Sequence, residues 1–362
     1  MLKPEPKLNH MPLHIKQKIT DSASNVGTKL ALSQMSKEYQ SLAEDSPIKY
    51  DKLAIEIDID KVAVIRKAVF LRQNSVYFTQ HKKHVMEFSA HEDGVLMKNP
   101  TSNWQKILPE MDYRKAAVQY CLPIMKAKTE IGEFKLTTNY DLVHLDRGRD
   151  HFPVVYPKAK FDEDRAVVMD EIGLLLPKLK HRLIMKKLRI CFPIAESAIL
   201  QILLCLEPGT LQEINLGAEY LHMYEASNIT NLQFGELSET AQWKGAKKVN
   251  ISTYECDFPH EKWTDFEYLS IALTRPQLTM KEMIEKFVSR QTFKSLSVGC
   301  SEGFDVAGVT EYLDQFDQEP AEQNNRIEIM AGTKKAVIRL PNEPNSKVEI
   351  SYNTNMIQMY KP

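Results

Sequence analysis

The feature of this sequence that most constrains its fold is a short strand pattern that recurs through the C-terminal half. Segments built around Leu-x-Ile, Val-x-Ile or a similar apolar pair occur as "KKLRICF" (186–192), "LQEINL" (211–216), "KKVNIS" (247–252), "YLSIAL" (268–273), "FKSLSV" (293–298) and "NRIEIM" (325–330). Apolar residues at every second position predict strands with one buried face. Between these segments, "AESAILQILLCL" and "TMKEMIEKFVSR" have the apolar spacing of helices.

Strands and helices that alternate at irregular intervals of about 20–36 residues predict an α/β fold, with a β/α array in the manner of leucine-rich repeats after about residue 170. Each unit of such an array covers its neighbour, and one face with its loops remains free to recognise a protein. Trp243 is expected to be a buried core residue. The strand residues predicted to form the core are Leu188, Ile190, Leu211, Ile214, Leu216, Val249, Ile251, Leu269, Ile271, Leu296 and Val298.

The region before the array is predicted to be a mixed sheet through about residue 165. "YDKLAIEIDI" alternates Leu53, Ile55, Ile57 and Ile59 with polar residues, which indicates a half-buried strand. "SVYFTQHKKHVMEFSAHEDGVLMKN" is typical of two or three short strands, with one turn at "HKKH" and another at "HEDG".

Composition limits the classes of partner. The chain has 362 residues, of which 43% are hydrophobic and 26% charged, and its 47 basic residues nearly balance its 48 acidic ones. This balance argues against a general nucleic-acid binder or a membrane-surface protein, so a neutral partner surface is expected. The N-terminus lacks the apolar core of a signal peptide, no apolar run approaches a membrane span, and the five cysteines form no CxxC pair. We therefore expect an intracellular protein, in the cytoplasm or nucleus, with reduced thiols.

No motif predicts catalysis, a metal or a cofactor. His81 and His84, with His91 beyond them, are interpreted as solvated turn histidines rather than metal ligands, because no acidic or cysteine ligand is placed with them. The cluster "HLDRGRDH" (144–151) is interpreted as a charged surface loop. An enzyme that uses Asp146 of this cluster is the least favoured hypothesis, since the sequence has no P-loop, GxGxxG or GxSxG motif.

The N-terminal 48 residues contain two short amphipathic segments, "MPLHIKQKITD" and "TKLALSQMSKEYQSLAEDSP". Proline suits the first turn of a helix, and apolar residues follow it at helical spacing. Helices this short need either the rest of the chain or a partner to cover their apolar face.

These two segments resemble the F-box of nematode F-box proteins over residues 8–48. The resemblance implies docking on the Skp-type adaptor of a cullin-RING ubiquitin ligase. Ala23 stands where the family usually places a leucine, and the loss of a leucine side chain from a contact costs about 2–5 kcal/mol. A degenerate F-box, or a plain helical cap on the following domain, is the alternative. The residues expected to contact the adaptor are Pro12, Leu13, Ile15, Ile19, Leu30 and Leu32.

The C-terminal half resembles the FTH domain (FOG-two homology), which follows the F-box in that nematode family. Its ordered segments "LEPGTLQEINL", "AQWKGAKKVNIS" and "FEYLSIALTRPQLTMKEMIEKFVSRQTFKSLSVGC" carry the resemblance, and the last 35 or so residues resemble the closing hairpins. The implied organisation is an F-box-like unit at 8–48, a strand-rich linking region at 49–169 and an FTH domain at 170–362. The implied function is a substrate receptor, without enzymatic activity, that brings a protein to the ligase; the alternative is an adaptor-independent interaction scaffold.

Overall fold

A computed structural model of the chain describes residue 16 and residues 48–58, 61–69, 81–100, 104–126, 129–138, 158–192, 194–217, 234–255, 260–273, 275–290, 292–316, 318–319, 333–340 and 343–361. The fold is mixed α/β with extensive β-sheet, as the sequence predicts. The chain divides into two compact units, one of residues 1–188 with 204–210 and the other of residues 189–203 with 211–362.

The first unit is built on a mixed sheet. Its strands are β1 (Ile48–Asp58), β2 (Lys61–Val69), β3 (His81–His91), β4 (Gly94–Asn99), β5 (Trp104–Leu108) and β6 (Thr129–Thr138). They lie in the order β6-β1-β2-β3-β4-β5, and β7 (Ile184–Ile190), which begins in this unit, follows β6. β1 and β6 are parallel, whereas the pairs from β1 to β5 are antiparallel. The apolar positions predicted for β1 are correct, since Leu53, Ile55 and Ile57 are all buried.

One predicted turn of this region is wrong. The "HKKH" segment is the start of β3, where His84 lies opposite Arg66 and Lys83 opposite Lys67 of β2. Pairing along the whole length of β2 holds this polar segment in a strand despite its low β-propensity. The second predicted turn is confirmed, because Glu92 and Asp93 connect β3 to β4.

Two helices, α1 (Tyr113–Lys126) and α2 (Lys158–Leu175), are present where the sequence analysis predicted only strands. α1 packs against β2, β3 and α2. The Arg114 guanidinium joins the two helices through Nη1, which donates to Asp164 Oδ1 at 2.8 Å and to Glu163 Oε1 at 2.9 Å. Pro123 lies inside α1, and proline in a helix interior removes a backbone hydrogen bond, so the sequence argues against a helix at this place.

The second unit contains four strands that follow one another along the chain and pair in parallel. These are β8 (Glu213–Leu216), β9 (Lys248–Glu255), β10 (Tyr268–Leu273) and β11 (Ser295–Cys300), and each pairs in parallel with the next. The connections contain α4 (Ala241–Lys244), the 3₁₀ helices Leu237–Glu239 and His260–Asp265, and α5 (Met280–Val288). The unit also includes most of α3 (Glu196–Leu204), together with α6 (Val309–Leu313). The helices α3 and α5 agree with the two helical segments predicted from apolar spacing.

Antiparallel strands continue this sheet beyond β11. They are β12 (Gln318–Glu319), β13 (Lys334–Leu340), β14 (Glu343–Asn353) and β15 (Met356–Tyr360), in the order β12-β13-β14-β15-β11. β15 pairs directly with β11, so the predicted closing hairpins add to the end of the row of parallel strands. The last recurring segment predicted as a strand, residues 325–330, lies outside the described residues.

The buried face of the C-terminal strands, from β7 to β11, is the face predicted from the sequence. Every one of the predicted core residues is at most 4% exposed, so the strand registers are confirmed. Trp243 is 2% exposed and lies between the rings of Phe234 and Phe266, at centroid distances of 5.5 and 6.1 Å. Its backbone N–H donates to the Thr240 hydroxyl, which caps α4. Trp243 is therefore a core residue of this unit, as expected.

The parallel strands start in a repeated manner. One backbone carbonyl of the residue before or near the start of one strand accepts hydrogen bonds from two N–H groups: that of the residue just before the next strand and that of the first residue of the next strand. The carbonyls are those of Gln212, Lys247 and Glu267, and the respective donor pairs are Lys247 with Lys248, Glu267 with Tyr268, and Lys294 with Ser295. The starts of β9, β10 and β11 are thus fixed by the same backbone arrangement.

Among the described residues, no helix is both long enough and apolar enough to cross a bilayer.

Candidate functional site

The side chains that point away from the core of the second unit form a polar surface, which we call the open face. Strand partners that lie directly opposite each other point to the same side of a sheet, so the registers define rows across it. The middle row is polar throughout, and each of its members is partly exposed. Its members, from β8 to β13, are Asn215, Asn250, Ser270, Ser297, Gln358, Ser351 and Lys335.

A charged row lies next to it, at the N-terminal ends of the parallel strands. It runs Glu213, Lys248, Tyr268, Ser295, Tyr360 and Glu349 from β8 to β14. The Tyr268 ring lies between two ammonium groups, with Lys248 Nζ 6.0 Å and Lys294 Nζ 5.7 Å from its centroid. Both distances are within the range of cation–π attraction.

Glu267 is the centre of the ion pairs in this charged row. Its carboxylate accepts from Lys294 Nζ at 2.9 Å and lies 3.4 Å from Lys247 Nζ, while Lys248 Nζ lies 3.6 Å from Glu213. The hydrogen bond from Lys294 is the main cause that lowers the pKa of Glu267, and the same bond raises the pKa of Lys294. Because these groups are exposed, the pairs orient the lysine side chains more than they stabilise the fold.

Two further features of the open face are a glycine with free space above it and a buried amide oxygen. A Cβ placed on Gly299 of β11 would meet no atom within 4 Å, so the space above this strand is open. On neighbouring β9, Asn250 Oδ1 is buried and has no hydrogen-bond partner among the described residues. A buried amide oxygen without a hydrogen-bond partner costs about 1–3 kcal/mol.

Within the described part of the chain, one cluster has the residue types of a metal site. His91, Glu92 and Asp93 bring ligand atoms within 4.8 Å of one another at the β3–β4 turn. His91 Nδ1 already accepts the backbone N–H of Asp93 at 3.2 Å. This hydrogen bond accounts for the cluster as a local turn interaction. The side chains of His81 and His84, and the whole 144–151 cluster, lie outside the described residues.

The predicted adaptor-binding residues are also outside the described residues. These are Pro12, Leu13, Ile15, Ile19, Leu30 and Leu32. Within the F-box-like segment before residue 48 the structure describes Lys16, which is helical and 4% exposed. The adaptor surface therefore stays a prediction.

The sequence analysis did not find the middle polar row, although a signal for it exists. Asn250, Ser270 and Ser297 each occupy the third position of a strand, between two buried apolar residues, in "KVNI", "YLSI" and "SLSV". A small polar residue at the same position of successive parallel strands indicates a registered row.

Comparisons with known proteins address the same region. A search of curated proteins finds no match to the chain, and a search of solved structures finds none either. The family model of the FTH domain matches residues 167–317, which include β8 to β11 and the helices between them. The closing strands β13 to β15 follow the matched segment. Residues 167–317 of this chain are an FTH domain.

Proposed function

We propose that this chain is a protein-binding substrate receptor of a Skp-cullin-F-box ubiquitin ligase. The observation that carries the proposal is the open face: polar side chains in registered rows on a sheet that belongs largely to the FTH domain. The successive parallel strands favour a leucine-rich-repeat-like array, in which such a face recognises a protein. The resemblance of residues 8–48 to an F-box supports the link to the adaptor.

In this proposal the chain catalyses no reaction and needs no cofactor. The adaptor binds the N-terminal helices, the open face binds the substrate, and the chain contributes proximity and orientation to the ligase. The chain would act inside the cell, where the adaptor and the cullin are.

A co-purification experiment with the full chain and a Skp-type adaptor tests the adaptor half of the proposal. Leu13→Asp combined with Ile15→Asp places two charges at the centre of the predicted contact, so we expect co-purification to be lost while the far-ultraviolet circular dichroism is unchanged. A lack of binding by the unmodified chain would reject the ligase role. Loss of overall stability in the double variant would instead indicate a helical cap.

The substrate half is tested by Gly299→Arg, which places a long charged side chain over β11 at a position where a Cβ meets no atom within 4 Å. Gly235→Arg is the matched control, because a Cβ there also meets no atom within 4 Å and the residue lies in the connection before α4. Proximity labelling should then find a set of proteins that Gly299→Arg loses and Gly235→Arg retains. Identical sets for both variants would reject the open face as the substrate site.

The second candidate function is an interaction scaffold that does not bind the adaptor. Ala23, at the position where the F-box usually has leucine, favours it. Ala23→Leu restores the missing apolar side chain. A gain of adaptor binding only in this variant would identify a degenerate F-box and support the scaffold.

A further inference from the structure

The outer side of β5 is the edge of the sheet in the first unit. β5 is the last strand of the row β6-β1-β2-β3-β4-β5, and in the described part of this unit no strand pairs with its other side. In an antiparallel pair the backbone groups of alternate residues point away from the partner strand, so about half of the N–H and C=O groups of β5 face this edge. An extended segment can add to such an edge through main-chain hydrogen bonds.

Large apolar side chains are exposed at the same place. Of the six that are exposed among the described residues, three lie within eight residues of the chain: Trp104 at 44%, Ile107 at 41% and Met111 at 38%. Side chains alternate along a strand, so Trp104 and Ile107 lie on opposite faces of β5. An added strand would therefore cover one large apolar side chain on each face of the sheet. Exposed apolar side chains that are grouped in this way mark interaction surfaces.

The end of β5 is held closely against β4. A Cβ on Gly94 would overlap the Leu108 carbonyl oxygen and lie 3.0 Å from Pro109 Cα, and Gly94 has a φ of 131°. A glycine therefore permits an approach of the two strands that another residue would prevent. Because this edge is already formed, binding requires the ordering of the partner segment alone.

Lys106 places a positive charge on this edge. It is exposed, and no ion pair joins it to an acidic side chain in the described part of the chain. Lys106 lies opposite Met97, which lies opposite Phe88, so the three side chains share one face of the sheet. The Phe88 ring contacts Tyr120 of α1, the helix on this face, and α1 contains no acidic residue. A carboxylate on an added strand would be the counter-ion of Lys106.

The same lysine opposes pairing between two copies of β5. Antiparallel pairing of two identical edges about a two-fold axis places one residue opposite itself. With Lys106 at the centre, Trp104 would lie opposite Leu108 of the second copy, but two ammonium groups would also lie directly opposite, which is unfavourable. A centre at Gln105 places Trp104 opposite Lys106, and a centre at Ile107 places Leu108 opposite Lys106. Each register of the homodimer thus sets the lysine against a like charge or an apolar side chain, which favours a different partner.

We infer that the edge of β5 binds an extended segment of another protein with the pattern apolar, acidic, any residue, apolar. In antiparallel pairing, which continues the arrangement of β1 to β5, the first apolar residue lies opposite Ile107, the acidic residue opposite Lys106 and the second apolar residue opposite Trp104. This edge lies outside residues 167–317 and outside the open face. It is a second interaction surface, and it does not depend on the proposed receptor function.

The test uses the full chain and a fluorescein-labelled hexapeptide, threonine-valine-glutamate-threonine-valine-threonine. We expect saturable binding in fluorescence anisotropy, and slower hydrogen exchange of the amides of residues 104–108 when the peptide is present. Lys106→Glu should weaken binding about fivefold, because an attraction between opposite charges becomes a repulsion. Trp104→Ala should also weaken binding about fivefold, because the cross-strand contact with valine is lost.

Lys180→Glu and Leu174→Ala are the matched controls. Lys180 is an exposed lysine of the same unit, and Leu174 is 60% exposed on α2, so each variant makes the same kind of change outside β5. Both should leave binding unchanged. The same peptide with N-methylated amides cannot pair along its backbone and should not bind. A peptide with lysine in place of glutamate should bind Lys106→Glu more tightly than the unmodified chain.

Several results would overturn the inference. These are no binding of the peptide, equal affinities of Lys106→Glu and Lys180→Glu, or equal binding of the N-methylated peptide. Slow exchange of every amide of residues 104–108 before the peptide is added would show that the chain covers its own edge. A sedimentation experiment that gives a dimer for the unmodified chain and a monomer for Trp104→Ala would assign the edge to a second copy instead.

Discussion

Trp243 provides the sharpest test of the packing that supports the open face. Its indole is 2% exposed and contacts two aromatic rings, so Trp243→Ala removes a side chain that buries about 150–250 Å². At about 25 cal/mol per Å², the lost burial alone amounts to about 4–6 kcal/mol. Partial collapse of Phe234 and Phe266 into the space offsets some of this loss. Measured substitutions of this kind cost about 3–5 kcal/mol, which is the loss in unfolding free energy that we expect.

The assay is urea denaturation of the full chain, followed by the fluorescence of Trp263. This residue is fully buried in the second unit and remains in the variant, so its emission reports on the unfolding of that unit. Trp104→Ala is the matched control, because Trp104 is 44% exposed on β5 and its loss should change stability by less than about 1 kcal/mol. A loss below about 1.5 kcal/mol for Trp243→Ala, or equal losses for both variants, would refute the packing described here.

Three further outcomes are expected. Gly132→Ala places a Cβ 2.6 Å from the Asp51 carbonyl oxygen and should lower the thermal midpoint by forcing β1 and β6 apart, with a cost of about 1–3 kcal/mol; an unchanged midpoint would contradict the parallel pairing. Thr279→Ala removes the hydroxyl that caps α5 and should cost about 1 kcal/mol in denaturant titration, whereas Thr279→Ser should be nearly neutral. The pKa of Glu267 is lowered, chiefly by its hydrogen bond from Lys294, so its contribution is complete above the usual value of 4.5 and is lost as pH falls through the lowered pKa. Glu267→Gln should therefore flatten the stability profile below about pH 4.5, and parallel profiles for the variant and the unmodified protein would contradict the ion pairs.

The buried strand residues of the second unit could be predicted because the alternation of apolar residues that marks them is visible within each short segment. Val249, Leu269 and Leu296 each lie in a short strand whose apolar residues alternate, and this alternation is visible without knowing what the strand pairs with. The "HKKH" segment could not be predicted in the same way. Its strand conformation comes from pairing with β2, which is a property of the sheet rather than of those four residues.

The open face was missed for a related reason. Ser270 and Ser297 are adjacent only after the register of β10 and β11 is fixed, and their separation along the chain gives no information about it. The ion pair between Glu267 and Lys294 likewise joins the approaches to two different strands. The apolar pattern thus predicts which residues are buried. Which exposed residues become neighbours can be known only after the pairing of the strands is known.

The repeated start of the parallel strands has a consequence for how this protein can diverge. Since one carbonyl accepts from the N–H group just before the next strand and from the first N–H group of that strand, the beginning of each strand is set independently of the length of the connection before it. The connections 217–247, 256–267 and 274–294 differ widely in length, yet β9, β10 and β11 begin in the same way. Lengthening a surface loop adds little closure entropy, so insertions there can be accepted without moving the rows of side chains. The loops around the surface and the residues on it can therefore change independently of each other without refolding the sheet.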